Sequence, residues 1–264
     1  MNIYHPVPNK LSAYIEIPDD WLSPNETPNP FSAAPTELHR YGKNKLCCTE
    51  SRGYKTPGNM DPRRIVVDAS EGFIPLWEAN RTLHYRFNQN SMRYFQNPDK
   101  AKAAILALLG DAIMAWGDSA PITFKEDADT YDFEIFMNRT DDGDDETGYV
   151  LASAFFPASG RDRLTLYPKM FAQSRQEQIE TLIHEVGHIF GLRHFFALDL
   201  EKTWPGEVYG VHSKFSIMNY GGNSFLTEQD KADLKKLYEE VWSGKLLQIN
   251  RTPIVKIKPY HDLL

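Results

Sequence analysis

Apolar positions along the chain change their period several times, and each change marks an element. Residues 81–87 alternate: Leu83, Tyr85 and Phe87 fall on one side, with Thr82, His84 and Arg86 on the other. That is the pattern of a strand with one buried face. Ile105, Leu108, Leu109, Ala112, Ile113 and Trp116 then recur at helical spacing. Asn97 supplies a cap, Pro98 a first helical position, Asp99 an acid in the first turn and Gly117 a stop, which predicts a long helix between them. Ile122–Lys125, Asp132–Met137, Tyr149–Phe156 and Arg163–Tyr167 read as further strands. Ser174 and Glu177 form a capping box for a helix running to about Phe190, with Ile179, Leu182, Ile183 and Val186 on its apolar side. Residues 195–226 read as irregular. Thr227 with Asp230 opens a last helix whose stripe is Leu234, Leu237, Tyr238, Val241 and Trp242, and Pro253–Lys258 reads as a short strand beyond it.

The first seventy residues carry little such pattern. They are rich in Pro, Asn, Ser and Thr, as in Pro24-Asn25-Glu26-Thr27-Pro28-Asn29-Pro30, and only Leu11–Ile17 alternates like a strand. The chain therefore divides into an N-terminal extension over 1–72, a pro-segment or wrapping arm, then a domain over 73–244 and a tail over 245–264. The acidic run Asp141-Asp142-Gly143-Asp144-Asp145-Glu146 is expected as a solvated loop. Calcium at this run is left open, because a turn rich in oxygen ligands suits that ion.

At 264 residues, with 41% hydrophobic and 25% charged residues, the chain can bury a substantial core without staples. Its formal charge of −7 and the absence of a long basic run argue against nucleic acid or an anionic membrane as partner. There is no run of 18 apolar residues to span a membrane. Cys47 and Cys48 are the only cysteines, and sequence neighbours rarely pair, so no disulfide framework is expected. The N-terminus shows no basic region followed by an apolar run, so no classical signal peptide is visible. A cytoplasmic location or export by a non-classical route is the expectation.

The chemistry concentrates at residues 181–194, Thr-Leu-Ile-His-Glu-Val-Gly-His-Ile-Phe-Gly-Leu-Arg-His. His184 and His188 are four apart, so on a helix they project from one face and can grip one metal ion. Glu185 sits beside the first of them, placed to act on a metal-bound water. Gly191 can end the helix in a left-handed conformation, and His194 can then return as a third ligand. Three neutral imidazoles with one open position make a catalytic zinc site rather than a closed structural one. The short H-E-x-x-H recurs by chance, whereas H-E-x-x-H-x-x-G-x-x-H fixes five positions.

That motif, followed by Ser216-Ile217-Met218-Asn219-Tyr220-Gly221, resembles the metzincin metallopeptidases. In that family a methionine-containing turn lies beneath the zinc, and Met218 matches its methionine. Tyr220 matches a tyrosine that astacins and serralysins use near the metal. Leu151–Pro157 is similar to the matrixin strand bordering the cleft, Trp77–Phe87 to the first strand of both families, and Leu226–Asp230 with Leu237-Tyr238 to their final helix. The departures are Phe195 where astacins usually have Glu, Asn219 where they usually have His, and no counterpart of the histidines that hold a structural zinc in many matrixins. Tyr220 favours the astacin-like side.

The resemblance implies an α+β catalytic domain. A twisted, mostly parallel mixed sheet of about five strands would carry two long helices, above a smaller irregular C-terminal subdomain ending in the 227–243 helix. It implies a zinc-dependent endopeptidase acting on protein or peptide substrates, with one zinc on His184, His188 and His194. Glu185 would be the general base and Tyr220 the donor to the oxyanion. An extended substrate would add as a strand beside Leu151–Phe155. Two other readings stay open. One is a catalytically weak, metal-containing peptide-binding module. The other is a latent precursor whose N-terminal segment occupies the cleft, with Cys47 or Cys48 as a thiolate on the metal.

Overall fold

The computed structural model describes residues 65–69, 72–144, 148–194, 206–209, 216–218 and 224–264. The expected strand Leu11–Ile17, both cysteines, Asp145, Glu146, Phe195, Asn219 and Tyr220 lie outside the described residues.

The sheet expected from the sequence is present. It has five strands: β3 (Thr82–Phe87), β4 (Thr123–Glu126), β5 (Phe133–Met137), β8 (Ala152–Ser153) and β9 (Asp162–Leu166), in the order β4-β3-β5-β9-β8. β3, β4, β5 and β9 run parallel, and only β8 is antiparallel. Leu83, Phe87, Phe133, Ile135, Met137, Leu164 and Leu166 form its buried face. They share one core with helices α2 (Pro98–Trp116) and α3 (Arg175–Ile189), giving the α+β arrangement. Along the opposite face, register sets Glu134 between Arg86 and Arg163. Burial works against the Glu134 charge, but the Arg86, Asn88 and Arg163 side chains outweigh it and hold its pKa below the usual value.

The helix ends follow their sequence signals. The Asn97 side chain accepts from Lys100 N–H, and Gly117 closes α2 with φ 55°. Ser174 and Glu177 form a reciprocal capping box at α3, as do Thr227 and Asp230 at α4 (Glu228–Trp242). A four-residue helical turn, α1 (Gln89–Met92), precedes α2.

Four findings change the sequence picture. The single strand expected over Tyr149–Phe156 is two: β7 (Gly148–Val150) pairs with β6 (Asp142–Asp144), whereas β8 pairs with β9. The partner changes at buried Leu151, whose carbonyl accepts from Tyr167 N–H. The acidic run is correspondingly not all loop. Residues 142–144 are strand, and they approach Gly148 so closely that a Cβ on Gly143 would overlap its carbonyl. Within the segment expected to be irregular, β11 (Gly206–Tyr209) pairs with β1 (Ile65–Asp68), which in turn pairs with β10 (Leu192–Arg193) just before His194. Finally, the strand expected over Pro253–Lys258 is present as β13 (Thr252–Ile257), and it ties the segment read as a tail to the rest by running parallel to β2 (Ile74–Trp77) and forming a hairpin with β12 (Gln248–Ile249).

Two substitutions test whether the local signals act as described. Ser174→Ala removes one half of the capping box and should cost about 1 kcal/mol, lowering Tm by about 2–4 °C. Gly110→Ala, inside α2 with open space around the new Cβ, should stabilise by about 1 kcal/mol. Thermal denaturation measures both. A loss of stability at Gly110→Ala would mean that this glycine has a packing role the structure does not show.

Candidate metal centre

Helix α3 is amphipathic in its first half and buried throughout its second, where the motif lies. His184 and His188 stand one turn apart on one face, and their Nε2 atoms approach to 3.1 Å. The helix stops at Phe190, Gly191 takes φ 89°, and the chain reverses into β10. His194 follows, with its Nε2 at 3.0 Å from that of His184. One nitrogen from each of the three rings lies within 4.8 Å of the others, and all three residues are buried.

The second nitrogen of two of these rings is spoken for. His184 Nδ1 is 2.7 Å from the Ile217 carbonyl, and His188 Nδ1 is 2.7 Å from the Leu192 carbonyl. A carbonyl oxygen can only accept, so each Nδ1 carries the proton and donates it. In the neutral ring each Nε2 is then the acceptor nitrogen, the form in which imidazole ligates a cation, and a carbonyl on the far side of the imidazole is the usual way a ligating histidine is oriented. Three nitrogen donors on one side suit zinc with a position left over. The residues present therefore fit the metal.

Glu185 follows His184 on the helix and is buried, at 1% exposure. Met218, also 1% exposed, lies directly under α3. A Cβ on Gly187 would come within 2.5 Å of its Sδ and 3.3 Å of the Trp116 ring. In the motif Gly187 stands at one of the unspecified positions. Its signal was there, since a glycine in mid-helix costs stability and needs a packing reason. The Ile217 carbonyl was invisible to sequence reasoning, because a backbone group has no residue type. Ile217 and Met218 thus serve the site together, Met218 by filling the space under the helix and Ile217 by orienting His184 through its carbonyl. At the rim, Phe156 meets the His188 ring edge-on, with centroids 5.6 Å apart. Tyr220 lies outside the described residues.

Comparison with known proteins bears on this centre. Residues 76–199 match the family described as Matrixin. The chain is 28% identical over 143 residues to Metallopeptidase AprA from Pseudomonas marginalis, an alignment covering 49% of this chain and 28% of that protein. The chain thus spans just over a quarter of that relative's length. Among solved structures, one of myroilysin aligns with a TM-score of 0.44 at 17% identity, covering 66% of this chain and 98% of the other. High choriolytic enzyme 1, a hatching enzyme zinc-protease from Oryzias latipes, aligns at 0.35 and 12%, covering 75% and 99%.

Gly191 is the residue on which the return of His194 turns. Its φ of 89° is a conformation that L side chains resist, and a Cβ there would also meet Leu76 Cδ2 at 3.1 Å and the Pro75 carbonyl at 3.3 Å. Gly191→Ala should destabilise the metal-free protein by roughly 1–2 kcal/mol from backbone conformation alone, measured by urea unfolding. Unchanged stability would show that the turn readily takes another path.

Proposed function

We propose that this chain, whose residues 76–199 match the matrixin family, is a metzincin, a zinc-dependent endopeptidase whose chemistry is carried by His184, His188, His194, Glu185 and Tyr220. The observation that supports it most is the convergence of three buried Nε2 atoms, in two rings whose Nδ1 donates to a backbone carbonyl, beside a buried carboxylate. A structural histidine cluster has no need of that carboxylate.

Zinc held by the three nitrogens would supply Lewis acidity, making water a nucleophile near neutral pH and polarising a carbonyl. The remaining work falls to the chain's own groups. Glu185 accepts the proton of the attacking water and, as a carboxylic acid, returns it to the leaving amine. Because it lies one residue from His184 on a rigid helix, its carboxyl is held near the metal ligands without the entropy cost of a loop. Tyr220 donates a hydrogen bond to the oxyanion as it develops. Strand β8 lies at the end of the five-stranded sheet, and an extended peptide adds there through backbone hydrogen bonds. Phe156, just past β8, leads that edge toward His188.

Purified protein should carry about one zinc per chain. His184→Ala, His188→Ala and His194→Ala should each lower that occupancy, whereas Glu185→Ala should keep the metal and lose activity. Elemental analysis reads the first, and cleavage of a diverse peptide library with and without a zinc chelator reads the second. Full turnover by Glu185→Ala would remove the proton-transfer role.

Tyr220→Phe separates a catalytic phenol from a packing ring. Loss of one oxyanion donor typically lowers kcat by about 10²–10³, and KM and zinc content should change little. A kcat within about threefold of the parent would remove Tyr220 from the mechanism and leave the zinc peptidase reading standing.

A further inference from the structure

A helix ends with carbonyls that have lost their intrahelical donors, and buried ones need partners from elsewhere. At the end of α3 each carbonyl from 188 to 192 has a donor. His188 O accepts from the N–H groups of Phe190 and Gly191, Gly191 O from Asp68 N–H in β1 at 3.1 Å, and Leu192 O from the His188 ring. The two between them are held by side chains distant in sequence. Ile189 O accepts from the Trp77 indole Nε1 at 2.7 Å, and Phe190 O from the Tyr238 hydroxyl at 3.0 Å.

These two donors are themselves joined. Trp77 N–H donates to the Tyr238 oxygen at 3.3 Å, and the Trp77 carbonyl accepts from Trp242 Nε1 at 2.9 Å. Trp77 is fixed from its other edge by register with Ile257 in β13. Trp77 and Tyr238 are each about 1% exposed. Burial raises the phenol well above its ordinary pKa, against an opposing pull from Trp77 N–H, so it stays a neutral donor. The turn at 189–191 is what aims His194, and its carbonyls are gripped by an indole from β2 and a phenol from α4.

The geometry points to Trp77 and Tyr238 as positioning residues for the metal centre: by holding the carbonyls of Ile189 and Phe190, they set the turn that brings His194 to the nitrogens of His184 and His188. Neither residue touches the metal ligands' Nε2 atoms. The inference rests on the zinc reading of those nitrogens. Removing the phenol oxygen frees the Phe190 carbonyl, leaves the ring in place and lets the turn relax. His194 then ligates from a broader range of positions.

The test is zinc affinity by chelator competition, paired with thermal unfolding of the metal-free protein. Tyr238→Phe should weaken zinc binding by about tenfold, in the range seen when groups that orient ligands are removed, and zinc should leave faster on chelator challenge. Trp77→Phe should do the same through Ile189 O, and it decides the question if Tyr238→Phe does not fold. Val241→Ala is the control: it trims the core on the same helix without a donor to the turn, so it should lower Tm and leave zinc affinity within twofold of the parent. If Tyr238→Phe and Trp77→Phe lower Tm but bind zinc as tightly as the parent, they are ordinary core residues and the inference is overturned. A parent protein that binds no zinc overturns the zinc reading itself, and this inference with it.

Discussion

Three imidazole rings brought together in the interior give up their water and must be oriented by the protein instead. His184, His188 and His194 are buried, with the Nε2 of His184 3.0 Å from that of His194 and 3.1 Å from that of His188. The surroundings hold the rings in that arrangement. Much of the fold around α3 can be understood as the set of constraints that does this. The capping box fixes where the helix begins, the Ile217 and Leu192 carbonyls fix two ring orientations, and Met218 fills the notch that Gly187 leaves under the helix.

The constraints come from segments far apart in sequence. β1 and β2 precede the five-stranded sheet, and α4 and β13 follow the three histidines. All four meet at the stretch 189–193 or at the strand beside it. Packing and hydrogen bonding divide the work. The aromatic contacts of Phe190 with Trp116 and Phe124 anchor the helix end against the sheet and α2, whereas the polar tips of Trp77 and Tyr238 select one turn geometry among those that packing alone would allow.

What was legible in the sequence was local. Asn97-Pro98, Ser174 with Glu177 and Thr227 with Asp230 name their helices because a cap acts within three residues, and the zinc motif is compact for the same reason. The strand Tyr149–Phe156 was misjudged because a period of two says that a face is buried but not that the pairing partner changes at Leu151. β1 was missed because Ile65-Val66-Val67-Asp68 is four residues long and follows a Pro- and Gly-rich stretch, and its stability comes from two partners that arrive more than a hundred residues later. In the sequence Tyr238 is one more member of an apolar stripe. The ring position was right, but a helical wheel gives no hint of what a hydroxyl will meet.

The pairing of Trp77 with Tyr238 spans 161 residues, and that span imposes an order on biosynthesis. A ribosome delivers His184, His188 and His194 well before it delivers Tyr238 and the strand at 252–257. Closing so large a loop is also slow compared with forming a helix. A growing chain therefore possesses all three histidines before it possesses the residues that hold them in register. The cluster becomes rigid only after a further seventy or so residues have been added.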